Sequence, residues 1–252
     1  MSGELRLSGS PVMVRLVRSL AVVTNQVPLD DFAVIGGLAV MVRLESAHRA
    51  TDDLDTVASQ HGDEPTAVDV VVAADPDALE GTKVDCIAVG DTPAVDLSPG
   101  DLPEDELDRA FILAHRWALD TADTIVVHAE NDSTEATVSC RFASPASLVA
   151  MKLQSAPRRR AQRAHKAGGD LFDIFRLVSH PSLTRPMATA LHHAPHDLGD
   201  WCATGIRRFL LDEAEKTAAV IARSGVAGTA PPTASQLVRS GILLLEWFER
   251  SA

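Results

Sequence analysis

The stretch IGGLAVMVRLESAHRATDDLD, Ile35 to Asp55, decides how the chain is read. A short apolar run, Phe32–Ile35, enters Gly36-Gly37, and the apolar residues Leu38–Leu44 that follow suit a helix. Glycines at such a strand-to-helix turn let backbone approach a phosphate, and a helix N-terminus favours anions. The same pair also serves as a plain tight turn. Leu54–Ala58 reads as a second strand. Asp53 and Asp55 are two residues apart, so both carboxylates lie on one side of a sheet while Leu54 faces the core. Paired carboxylates make a hard-oxygen site suited to Mg²⁺ (or Mn²⁺), and beside a phosphate-cradling turn they can run phosphoryl or nucleotidyl transfer. Asp52 points the other way and reads as a surface residue.

Further along, Lys83–Val89 (KVDCIAV) and Ala67–Ala73 (AVDVVVA) are both β-rich runs, and each contains one acid. Asp85 sits between apolar neighbours, and a buried lone acid is costly unless it is paired or metal-bound. It is the natural third ligand, with Asp69 the competing candidate. Residues 11–25 and 105–119 suit helices, and Thr124–His128 and Ala136–Phe142 suit strands. After Ser144-Pro145, a cap and first-turn pair, the spacing becomes helical almost throughout. Pro157 should end that first helix. Gly168-Gly169 should be a turn before a helix over 170–179. Later helices are expected over 185–193, 198–223 and 233–250. The fold class is therefore α+β, with a mixed-sheet half over 1–143 and a helical half over 144–252.

Bulk properties narrow the function. The net charge of −12 argues against a chain coated in nucleic acid. The charge is uneven, however. Residues 62–108 are acid-rich, whereas 152–166 carry Lys152, Arg158, Arg159, Arg160, Arg163 and Lys166 with no acid. Such a stretch is either a solvated basic loop or a contact for a polynucleotide backbone. No apolar run is long enough to span a bilayer, and the arginines within the N-terminal apolar stretch argue for a helix rather than a signal peptide. Cys86, Cys140 and Cys202 form no Cys-x-x-Cys and are odd in number, so neither a zinc site nor a disulfide framework is expected, and a cytoplasmic location follows. His192-His193-x-x-His196 has metal-like spacing, but Pro195 breaks the helix it would need.

The run GGLAV, then RATDDLD, resembles the opening motif of the nucleotidyltransferase superfamily, and more narrowly that of the AbiEii/MenT type of toxin nucleotidyltransferase. Residues 143–178, ASPASLVAMKLQSAPRRRAQRAHKAGGDLFDIFRLV, are similar to that family's second block. The resemblance implies a sheet-based catalytic half completed by the helical half. It implies that Asp53, Asp55 and Asp85 hold metal, Asp85 also activating the acceptor hydroxyl. Gly36, Gly37, Arg49, Thr51 and Lys152 would hold the NTP. Asp170 or Asp173 would support Lys152 or the nucleotide. Read unaided, Lys152 lies near an apolar helix face and is either a fixed cation for a triphosphate or a snorkelling lysine. Asp170 is either part of the site or a helix cap, and Asp173 either part of it or a partner for Arg176. Gly37 stands where many nucleotidyltransferases have serine, and Thr51 can partly replace that hydroxyl. The implied activity is NMP transfer to a tRNA 3′ end by the toxin of a toxin–antitoxin pair, with a cognate antitoxin as partner. The same chemistry on a small-molecule or protein hydroxyl, or a non-catalytic nucleotide-binding module, are the rivals. Residues 180–252 carry no motif that assigns them a role.

Overall fold

In the computed structural model the described residues are 3–8, 11–47, 51–60, 62–131, 134–162, 164–225 and 230–251. The chain is α+β and divides into two compact units. One comprises residues up to Pro93 together with His115–Ser144, and the other comprises Ala94–Ala114 with Pro145 onward.

The first unit is built on a six-stranded mixed sheet. Its strands are β1 (Gly3–Ser8), β2 (Phe32–Ile35), β3 (Asp53–Ser59), β4 (Lys83–Val89), β5 (Asp123–Glu130) and β6 (Glu135–Phe142), in the order β1-β5-β6-β2-β3-β4. The β2–β3 and β5–β6 pairs are antiparallel, and the other three pairings are parallel. Helix α1 (Pro11–Thr24) starts on a proline, whose missing N–H costs nothing at a first helical position. It buries Met13, Leu16, Val17, Leu20 and Val23, spaced to fall on one face. Its buried Ser19 hydroxyl lies 2.9 Å from the Leu79 carbonyl and 2.8 Å from the Thr82 hydroxyl, which ties the turn before β4 to the helix. Phe32, Phe142, Leu38, Met41 and Leu54 are among the largest fully buried side chains of this unit.

Helix α2 (Gly36–Arg43) begins directly at the end of β2, so Gly36-Gly37 forms its first turn rather than a separate loop before Leu38. Its last residue, Arg43, is nearly buried and reaches the ends of β6 and β5. Its Nε donates to the Ala143 carbonyl at 2.8 Å and Nη2 pairs with Asp123. That clamp fixes the helix whose N-terminus meets β3.

Two further expectations about the strands of this unit fail for identifiable reasons. Ala67–Ala73 is not a strand but part of helix α3 (Ala67–Ala74). Thr66 caps it, its hydroxyl accepting from the Asp69 N–H at 3.1 Å while the Asp69 carboxylate accepts from the Thr66 N–H at 3.3 Å and from its hydroxyl at 2.7 Å. This reciprocal box outweighs the β propensity of the valines. Strand β1 lies in the N-terminal region read only as helix. Its Leu5 and Leu7 are buried and Glu4 and Arg6 exposed, an alternation already visible in ELRL.

Helix α4 (Glu106–Asp120) passes from the second unit into the first, with Ala114 the last residue in the one and His115 the first in the other. The rest of the second unit is helical: α5 (Pro145–Gln162), α6 (Ala164–Ser179), α7 (Thr184–His192), α8 (Leu198–Ile206), a π-helical run over Arg207–Asp212, α9 (Ala214–Arg223) and α10 (Ala234–Arg250). Phe172, Phe209, Leu148 and Leu153 anchor its core. Pro157 does not end α5. Its ring removes the N–H that would reach the Leu153 carbonyl, yet the next residues are held by ion pairs, Arg158 to Asp108 and Arg159 to Asp170, so the last turn persists. Gly168-Gly169 is not a turn either. Both residues lie within α6, and a β-carbon on Gly168 would sit 2.3 Å from Ser224 Cβ and 2.9 Å from the Val220 carbonyl oxygen. The glycine there permits close packing against the end of α9. The helix expected over 198–223 is interrupted at Glu213, which separates the π-helical run from α9.

Candidate active site

Among the described residues, each unit holds a cluster of charged side chains. On the sheet, the β2–β3 register sets Asp55 opposite Ile35, and the β3–β4 register sets Asp55 opposite Asp85 and Asp53 opposite Lys83. Leu54 is fully buried, so Asp53 and Asp55 share the other face, as their spacing requires. Gly36 adopts φ +68°, and a β-carbon there would lie 2.0 Å from Asp55 Oδ2. The Asp55 carboxylate therefore packs directly onto the first residue of α2. The residue capping that helix is Ile35, which offers no side-chain acceptor to the free N–H groups. A carboxylate at this position meets the positive end of the helix dipole.

Asp85 differs from expectation. Strand β4 is a sheet edge, and Asp85 is half-exposed rather than an acid buried in an apolar strand. Its Oδ2 accepts from the Lys83 ammonium, two residues earlier on the same face. That hydrogen bond, with the charges of Asp85, Asp53 and Asp55, holds the Lys83 pKa above the ordinary lysine value despite some desolvation. Asp69, the competing candidate, is engaged in the cap of α3. Thr51 is half-buried just before β3, and Arg49 lies outside the described residues. The donor set of the sheet face is carboxylate oxygen, which suits a hard divalent cation. Even so, no three His, Cys, Asp or Glu side chains converge on one point among the described residues. The Asp85 carboxylate is turned to Lys83 instead.

In the helical unit Lys152, Asp170 and Asp173 come together. Lys152 Nζ lies 3.1 Å from Asp170 Oδ1 and 2.8 Å from Asp173 Oδ2, and all three side chains are at most 8% exposed. Asp170 is therefore neither an N-cap nor a surface acid. It lies mid-helix, and its other oxygen accepts from Ser155 Oγ at 3.0 Å and Arg159 Nη1 at 2.6 Å. Two cations and two carboxylates balance formally, and burial of Lys152 is tolerated because both acids compensate it. A lysine held this way is a fixed point charge rather than a snorkelling one. Arg158 pairs with the exposed Asp108, Lys166 is exposed, and Arg160 lies in α5. Arg163 lies outside the described residues. Sequence reasoning missed Lys83 and Ser155, and it assigned Arg159 only to the basic stretch. Lys83-x-Asp85 in a strand and Lys152-x-x-Ser155-x-x-x-Arg159 in a helix were the available signals, since each spacing puts its members on one face.

Of the remaining histidines, His196 Nε2 lies 3.0 Å from the Ala94 carbonyl, and His192 packs edge-on against Phe248. No helix among the described residues is long and apolar enough to cross a membrane. A family model described as nucleotidyl transferase AbiEii toxin, type IV TA system, matches residues 20–220. Among curated proteins and solved structures, none matches the chain.

Proposed function

Because the chain belongs to the AbiEii nucleotidyl transferase toxins of type IV toxin–antitoxin systems, we propose that it moves a nucleoside monophosphate from an NTP to a tRNA 3′ hydroxyl, releasing pyrophosphate. The observation that carries this reading is the Asp55 carboxylate packed on Gly36, beside Asp53 on one sheet face. Asp53 and Asp55 would hold Mg²⁺ (or Mn²⁺), with Asp85 as third ligand. The bound ion would supply charge neutralisation for the phosphates. Gly36 and Gly37 bring backbone N–H groups to the phosphates without side-chain obstruction, with Arg49 and Thr51 as further contacts. Lys152, oriented by Asp170 and Asp173, binds the triphosphate and offsets charge that grows on the leaving pyrophosphate. Asp85 accepts the proton of the attacking hydroxyl. Arg158, Arg160, Arg163 and Lys166 serve the RNA backbone, while Arg159 also steadies Asp170. A cognate antitoxin completes the system.

The experiment is incubation with each α-labelled NTP, Mg²⁺ and total tRNA. Label is expected on tRNA with at least one NTP. It should be lost in Asp53→Asn and Asp55→Asn, and reduced on the order of 10²–10³-fold in Lys152→Met, the usual cost of a preorganised charge. A folded protein that transfers no label from any NTP overturns the reading. The net charge of −12 favours a second acceptor class, a small-molecule or protein hydroxyl. Label on such an acceptor, with Arg158→Ala and Arg160→Ala fully active, would select it.

A further inference from the structure

We propose that Lys83 is a tethered cation that keeps Asp85 out of the metal-ligand set until a divalent ion displaces it. The inference rests on the metal-site reading above and adds a positioning residue to it. Three observations support it. First, the parallel β3–β4 register places Lys83 opposite Asp53 and Asp85 opposite Asp55, so one ammonium and three carboxylates occupy a single patch of sheet. Second, the Lys83 ammonium bonds Asp85 Oδ2, although its exposed position gives it free access to water. Third, among the described residues the three carboxylates do not converge as a metal cluster would require, and one of them, Asp85, is held by Lys83.

An ammonium and a divalent ion compete for the same oxygens, and they repel each other while both are present. Lys83 thus lowers the affinity of the site for metal and makes assembly of the full ligand set depend on ion concentration. It also neutralises part of the acidic face when no metal is bound. The pair is exposed, with side-chain exposures of 63% for Lys83 and 46% for Asp85, so water screens it and the effect is modest.

The test is Mn²⁺ binding by the intact protein, read from the electron paramagnetic resonance signal of free Mn²⁺, without nucleotide. Lys83→Met should bind Mn²⁺ about three- to tenfold more tightly than wild type, the range expected for losing one weak ion pair and one repulsion. Lys83→Arg, which keeps the charge, should stay within about twofold of wild type. Asp85→Asn in the Lys83→Met background should abolish the gain. Equal or weaker Mn²⁺ binding by Lys83→Met overturns the role of Lys83 and leaves the metal site standing. Absence of Mn²⁺ binding in every folded variant, wild type included, overturns the metal-site reading and this inference with it.

Discussion

Replacing Gly36 with alanine probes the contact between the start of α2 and Asp55. Two costs add. At φ +68° the backbone is left-handed, where a β-carbon costs about 1–2 kcal/mol. The new methyl would also lie 2.0 Å from Asp55 Oδ2 and 2.7 Å from its Cβ and Cγ. Overpacking of this kind costs about 1–3 kcal/mol. The total is roughly 2–5 kcal/mol. Gly81 separates the two terms, because its φ is +74° and a β-carbon there meets nothing within 4 Å. Gly81→Ala should show the backbone cost alone. At about 2–4 °C per kcal/mol for a protein of this size, Gly36→Ala should melt roughly 2–12 °C below Gly81→Ala in a calorimetric scan. Gly36→Ala should also weaken Mn²⁺ binding, because the carboxylate must move, whereas Gly81→Ala should not. Adding Asp55→Ala to Gly36→Ala removes two of the three colliding atoms, Oδ2 and Cγ, and should recover part of the lost stability. If Gly36→Ala and Gly81→Ala melt together and bind Mn²⁺ alike, Asp55 does not rest on Gly36.

Two further outcomes are expected. Arg158→Ala removes a surface pair with Asp108 and should change stability by less than about 1 kcal/mol in urea titrations. Arg159→Ala removes one partner of the buried Asp170 and should cost about 1–3 kcal/mol; equal effects of the two variants would contradict the cluster. Alkaline stability should fall for a stated reason. Burial raises the Cys140 thiol to about 12 and raises Cys202 as well. Above the unfolded thiol value the unfolded chain binds fewer protons, so each buried thiol lowers stability by up to about 1.4 kcal/mol per pH unit. The Lys83 contribution has the same sign, present below its unfolded value and lost as pH rises through its raised folded one. The chain contains no tyrosine to complicate this range. Cys140→Ala/Cys202→Ala should flatten the decline from about pH 9 to 11 in denaturation curves, and an unchanged slope would refute the assignment.

Much of the sheet was legible because short apolar runs bounded by turn residues mark its strands. Asp53-Leu54-Asp55 gave its own orientation, and β2 and β4 match their expected bounds. The failures have a common cause: a local rule was applied where a nonlocal contact governs. Gly168-Gly169 reads as a turn until α9 is seen to need the space. Pro157 reads as a stop until Arg158 and Arg159 find carboxylates 50 and 11 residues away. Asp85 reads as buried because its neighbours are apolar, but strand order in the sheet decides exposure, and KVDCIAV does not encode that it is an edge. Strand β1, with its local ELRL alternation, is one exception, and the Ala67–Ala74 helix is the other. Its Thr66-x-x-Asp69 signal was local and was outweighed by the valine count.

Chain order has a consequence for synthesis. Ala94–Ala114 belongs to the helical unit, yet His115–Ser144 returns to the sheet before α5 begins. As the chain leaves the ribosome, the sheet unit is complete once Ser144 has emerged. The Ala94 carbonyl, however, must wait for His196, 102 residues downstream, and Arg109 must wait for Asp197. At about 5–20 residues per second the delay is roughly 5–20 s. A chain ending at residue 144 would therefore carry a finished sheet unit and an orphaned strip through its middle, including Leu113, which is fully buried in the finished protein. Cutting the gene at that boundary would not free two domains. The helical unit would be left without its first twenty-one residues, Ala94–Ala114.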